Sequence, residues 1–219
     1  PFIKVASMDL NNYPFLDYLA KKKLPMIIST GLSEMFEIDK AIKTIESAGN
    51  KKIIILHCVA IYPPKDNQVN LNNIKTLQTN YPDYPIGFSD HTLGTSIPIA
   101  SIALGASLVE KHFTLNKKLP GPDHLASLEP KELKKMRESI RNIELAIGKK
   151  IKKPNKMELK TKKIVRQSIH AIKDIKKGEK FTISNIALMR PADGLKPKYF
   201  YKVIGTKSKK KYKSQDAIK

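Results

Sequence analysis

The stretch IGFSDHTLGTSIPIASIALGASLVEKHF, Ile86–Phe113, decides the fold. It opens with Ile86–Asp90, an apolar run that ends in polar side chains, the pattern of a buried strand. A small-residue helical segment follows over Ile97–Leu104 and stops near Gly105, a residue suited to closing a helix. Ser107–Phe113 is a second strand run. Strand, helix and strand at this interval make one parallel βαβ unit.

The same texture extends to both sides. Phe2–Ser7, Pro25–Thr30 and Lys52–Cys58 are further Ile- and Val-rich strand runs. Between them, Glu37–Ala48 places Ile38, Ala41, Ile42 and Ile45 at helical spacing, and Leu71–Thr79 does so with Ile74 and Leu77. Lys131–Ile147 carries Leu133, Met136, Ile140, Ile143 and Ile147 on one stripe and closes at Gly148. Five such units do not close a (β/α)8 barrel. The α/β class then leaves two architectures: the C-terminal part of a TIM barrel, about strands 4–8, or an open doubly wound sheet. The start at Pro1, without Met and directly in a strand run, favours the first. No Gly-rich dinucleotide or phosphate-loop motif supports the second.

Beyond Gly148 the pattern changes. Lys149–Lys160, with Pro154, reads as a basic linker, and residues 161–219 as a small strand-rich domain. In that domain Ile164–Ile172 is a strand run, Asp174–Glu179 holds the glycine of a hairpin, Ser184 is placed to cap a short helix, and Arg190–Gly194 is a loop. Residues 1–148 form the larger domain.

Composition narrows the function. With 41% apolar and 28% charged residues among 219, a sizeable core forms and global disorder is excluded. The single cysteine, Cys58, excludes a disulfide scaffold and a Cys-rich zinc module and fits a reducing, cytoplasmic compartment. No apolar run reaches the roughly 18 residues of a membrane span. The net charge is +21, yet only Arg137, Arg141, Arg166 and Arg190 are arginines. A dispersed lysine excess argues against nucleic-acid recognition, which draws on the guanidinium fork. The densest cluster, Lys207–Lys213, reads as a solvated tail.

Parallel α/β folds build sites at the carboxyl ends of their strands. In order, those ends offer Lys4 and Ser7; Ser29, Thr30 and Gly31; His57 and Tyr62; Ser89, Asp90 and His91; Glu110 and His112. His91 and His112 end consecutive strands, so their rings are expected to converge. Two imidazoles with open positions suit a borderline divalent ion acting as a Lewis acid on a carbonyl. Lys4, Ser7, Ser29 and Ser89 read as a cradle for phosphate or carboxylate. Asp90 is placed either to orient an imidazole or to cap the next helix. Asp123, in the turn Gly121–His124, is aimed rigidly by its proline neighbour and suits a sugar hydroxyl, or belongs to a plain surface turn.

The runs SDHT (Ser89–Thr92), VEKHFT (Val109–Thr114), GPDH (Gly121–His124) and SLEP (Ser127–Pro130) resemble bacterial sialic acid synthases and their legionaminate and pseudaminate relatives. STG (Ser29–Gly31) and LHC with YP (Leu56–Pro63) fit in order and spacing, and DIKKGE and MRP (Met189–Pro191) resemble the antifreeze-like (SAF) domain that ends those enzymes. The resemblance implies a TIM barrel followed by the SAF domain in a domain-swapped homodimer, with no nucleic-acid or membrane partner. It implies a transferase that condenses phosphoenolpyruvate with an N-acylated hexosamine and releases phosphate. It further implies a divalent metal, typically Mn2+ with Mg2+ or Co2+ as alternatives, held by His91 and His112. By the same resemblance Lys4, Ser7, Ser29 and Ser89 contact phosphoenolpyruvate, and Tyr62 and Asp123 contact the sugar. Glu110 is then the acidic, catalytic residue beside the metal, and Arg190 reaches the sugar's N-acyl group in the partner's barrel. The family's earliest strands carry a glutamate and a phosphate-binding lysine that these residues do not include, so the 219 residues alone are expected to be inactive. Ala60 stands where neuraminate-forming members usually have asparagine, which leaves N-acetylmannosamine beside a 2,4-diacetamido-trideoxyhexose as substrates. A metal-dependent aldolase and a non-catalytic basic binding module are the competing readings.

Overall fold

The strand runs form one parallel sheet in sequential order: β1 (Ile3–Val5), β2 (Met26–Ser29), β3 (Ile53–Cys58), β4 (Ile86–Asp90) and β5 (Val109–Lys111). A computed structural model describes all residues, 1–219, in two compact units, Pro1–Lys149 and Lys150–Lys219. The strand order never reverses, whereas a doubly wound sheet must reverse at its switch point. The sheet is therefore barrel wall. The strands are shorter than their apolar runs: Phe2 and Ser7 fall outside β1, and Ser107 and Phe113 outside β5.

Helices α1 (Tyr13–Ala20), α2 (Met35–Ser47), α3 (Asn72–Asn80), α4 (Ser96–Ala103) and α5 (Pro130–Ile147) follow the strands in turn. Helix α1 has no counterpart in the sequence reading. It is two turns long and buries only Leu16 and Ala20, too few to draw a stripe. Asn12 starts it by accepting from the Phe15 amide at 3.3 Å, with a proline in the first turn. Helix α5 opens at Pro130, and the Glu132 carboxylate accepts from the Glu129 amide at 2.9 Å. Of its expected stripe, Met136, Ile140 and Ile143 pack inward, while Leu133 and Ile147 are exposed. The core of this unit gathers Ile28, Ile55 and Phe88 from the strands with Ile38, Ile45, Ile74 and Leu77 from the helices. None of the helices is long and apolar enough to cross a membrane.

In the second unit, β6 (Ser168–Ala171) pairs antiparallel with β7 (Ile186–Met189) over a core of Ile169, Ile175, Phe181, Ile186, Tyr212 and Ile218. Much of the expected basic linker is helix α6 (Lys156–Val165). Asn155 accepts from the Glu158 amide at 2.9 Å, and the Glu158 carboxylate accepts from the Asn155 amide at 2.7 Å. This reciprocal cap starts the helix just after Pro154 and takes Ile164 and Val165 out of the expected strand. No helix follows Ser184. Its hydroxyl meets that of Thr182 at 2.9 Å inside a turn, which leads directly into β7. Lys207–Lys213 is no free tail: Ser208 and Tyr212 are buried, and the segment bridges to Ile175 and Lys180, with the lysine heads left in solvent. Nor is the lysine excess dispersed. Residues 150–219 hold 22 Lys and Arg against 5 Asp and Glu, a net +17 of the chain's +21.

Candidate active site

Parallel register builds the site. Ser89 stands opposite Glu110, and Asp90 opposite Lys111. Side chains alternate along a strand, so Ser89 and His91 share one face with Glu110 and His112, and Asp90 and Lys111 share the other. Ser89 donates its hydroxyl to Glu110 at 2.7 Å. One step further along, the His91 and His112 ring centroids lie 5.2 Å apart, edge to face. The expected convergence of the two imidazoles is present.

The His91 Nδ1 lies 2.9 Å from the Val59 carbonyl. A carbonyl only accepts, so Nδ1 carries the proton and the lone pair of the neutral ring sits on Nε2. Cys58 Sγ lies 4.0 Å from the same nitrogen. The Tyr62 ring covers His91 at 4.0 Å and meets His112 edge-on at 5.7 Å. Burial, followed by the negative charges of Cys58, Asp123 and Glu110, pushes the Tyr62 phenol above its ordinary value. Asp123 approaches His112, its carboxylate 3.7 Å from Nδ1.

On the Ser89 side, the Lys4 ammonium lies 3.6 Å from Glu110 and donates to the Val5 carbonyl at 2.9 Å. Ser7 accepts from the Gly31 amide at 2.9 Å. A Cβ at Gly31 would lie 2.8 Å from the Ser7 hydroxyl, so the glycine admits that contact. Ser29 is buried at the end of β2, and its hydroxyl has no partner within the protein. Arg190 is exposed and directly follows β7 in the second unit.

Asp90 touches no imidazole. It accepts from the Lys111 ammonium at 2.6 Å and from the Thr92 amide at 2.9 Å, and Lys111 also donates to the Thr92 carbonyl. This buried clamp holds the residues on both sides of His91. Lys111 and the Val59 carbonyl were not singled out in the sequence. A lysine inside VEKHFT looks like any surface lysine until register places it opposite Asp90. A cavity of about 650 Å³ lies by the loops after β2 and β3 and includes His57, Val59 and Ala60, but neither His91 nor His112.

No third Cys, His, Asp or Glu joins the pair as a metal-ligating group. Two nitrogen donors, with one tautomer fixed by a backbone carbonyl, fit a borderline divalent ion that keeps open positions for substrate oxygens.

A sequential parallel barrel wall with a polar rim, followed by a small β unit, is the class that the fold and site define. The chain belongs to the NeuB family, whose model matches residues 1–152, and residues 166–215 match the SAF domain. The chain is 42% identical over 218 residues to an N,N'-diacetyllegionaminic acid synthase of Campylobacter jejuni, covering 99% of this chain and 65% of that protein. It is 40% identical over 209 residues to the enzyme of that name from Legionella pneumophila, covering 94% and 58%. Among solved structures, the spore coat polysaccharide biosynthesis protein SpsE of Bacillus subtilis matches with a TM-score of 0.63 and 36% identity, covering 99% of this chain and 65% of that one. An N-acetylneuraminic acid synthetase of Leptospira borgpetersenii, solved with citrate, matches with a TM-score of 0.68 and 36% identity over 73% of this chain and 55% of that one. The chain thus spans less than two thirds of the length of these relatives.

Proposed function

We propose that the protein is a nonulosonate synthase, a transferase that joins phosphoenolpyruvate to an open-chain N-acylated hexosamine. The reading is carried by the convergence of His91 and His112 two residues beyond the Ser89–Glu110 contact, on a single face of the sheet. The names of the relatives support the acidic-sugar product, and Ala60 inclines the choice toward a 2,4-diacetamido-trideoxyhexose.

In this proposal His91 and His112 hold a divalent ion, Mn2+ before Mg2+ or Co2+, which supplies Lewis-acid polarisation of the sugar aldehyde. Lys4 places its ammonium against the anionic groups of phosphoenolpyruvate, and Ser7, Ser29 and Ser89 supply hydroxyl contacts. The partnerless Ser29 hydroxyl is one such group available to a ligand. C3 of phosphoenolpyruvate forms the new bond to the aldehyde carbon. Water adds at C2, and the C2–O bond to phosphate breaks, releasing inorganic phosphate. Glu110, fixed by Ser89 and Lys4, is the carboxylate placed to move a proton there. Tyr62 and Asp123 contact the sugar, and Arg190 its N-acyl group within a homodimer. The lone Cys58 suits a reducing, cytoplasmic setting.

Mass spectrometry of the native protein's products from phosphoenolpyruvate and a panel of N-acylated hexosamines tests the proposal, with a parallel phosphate assay. A nonulosonate product with equimolar phosphate supports it. Condensation without phosphate release would assign a metal-dependent aldolase instead.

A further inference from the structure

The second unit carries a charge that its fold does not require. No lysine or arginine is among its buried residues, and like charges at this density repel one another. A chain-wide lysine habit does not explain it, because residues 1–149 hold 19 basic against 15 acidic side chains, a net +4, while the 70 residues that follow carry +17. The charge also has a focus. A cleft of about 550 Å³ is lined by Lys162, Lys163 and Arg166 of α6 and by Lys196 and Lys198 from the segment after Gly194. No Asp or Glu lines it. None of the five cations forms an ion pair, whereas Lys21, Lys117 and Lys213 each hold a carboxylate at 2.6–2.7 Å. Lys162 and Lys163 also complement the C-terminal dipole of α6, but that accounts neither for Lys196 and Lys198 nor for the missing carboxylates.

We propose that this cleft is a binding site for an oligophosphate, inorganic or carried by a nucleoside. An oligophosphate concentrates several negative charges in a volume of this size. The cleft offers it four ammonium heads and one guanidinium fork, which pairs bidentately with phosphate oxygens. Its wall also holds Leu159, Ala192 and Pro197, an apolar patch on which a nucleoside could rest. An extended nucleic acid is less favoured, because only two of the 22 basic residues here are arginines.

Calorimetric titration of the full chain with inorganic tripolyphosphate, and separately with ATP, tests the site. Two double variants with equal charge change are compared: Lys196→Glu with Lys198→Glu inside the cleft, and Lys209→Glu with Lys211→Glu outside it. All four side chains are exposed, and circular dichroism checks that both variants fold. Affinity should fall by about tenfold or more in the cleft variant and by no more than about twofold in the other, because screening confines the effect to near charges. ATP binding more tightly than tripolyphosphate assigns a nucleoside source, and equal affinity assigns an inorganic one. Equal losses in the two variants, or a single-stranded RNA that outcompetes both ligands with equal losses, would replace the cleft with a diffuse polyanion surface. No binding would end the proposal.

Discussion

Single side chains set the geometry of this site, and Lys111 is the most consequential of those hidden in the sequence. Its ammonium and the Asp90 carboxylate are almost wholly buried, and together they grip the backbone amide and carbonyl of Thr92, next to His91. Lys111→Met leaves a buried carboxylate without its cation and should cost about 3–5 kcal/mol in urea unfolding. Adding Asp90→Asn should recover part of that loss; strictly additive losses would show that the two residues act independently. His57 gives a second prediction. Its buried ring donates to the Val69 carbonyl at 2.7 Å, and burial lowers its pKa below 6.5. The unfolded chain therefore takes up the proton first as pH falls, so the neutral ring's stability is complete above pH 6.5 and is lost below it. The denaturation midpoint should drop between about pH 7.5 and about pH 5, and the drop should be smaller in His57→Gln. An identical drop in the variant would remove His57 as its source. The two imidazoles were legible as the polar ends of consecutive strand runs. The tautomer of His91 was not, because its determinant is a backbone carbonyl 32 residues away.

Secondary structure was legible where burial is periodic. The runs of β2, β3 and β4 and the stripes of α2 and α3 lie within a few residues of their reading, since each buries a continuous face. Helix α1 buries two residues and α6 none, so neither left a periodic trace. Only their caps announce them. Asn155→Ala should therefore weaken α6 by about 0.5–2 kcal/mol, seen as lost helical dichroism; an unchanged spectrum would mean that other contacts hold the helix. Between β4 and β5 the constraint is space. A Cβ at Gly87 would lie 2.6 Å from the Leu108 carbonyl oxygen and 2.6 Å from Leu56. Gly87→Ala should lower the thermal midpoint through about 1–3 kcal/mol of overpacking. A midpoint equal to that of the parent would show that the strands part without cost.

For the whole molecule, sequential strand order separates a barrel wall from a doubly wound sheet, a distinction that strand runs alone left open. Family membership rests on ordered motifs that extend from STG to MRP, and the matches over residues 1–152 and 166–215 cover both units. The net charge misled as a chain-wide figure and became informative once divided between the units. The account depends on a metal ion held by the two strand-end imidazoles. Electron paramagnetic resonance of Mn2+ titrated into the native protein tests this directly. His91→Ala and His112→Ala should each weaken Mn2+ binding by at least about tenfold in folded protein; unchanged affinity in both variants would contradict the account.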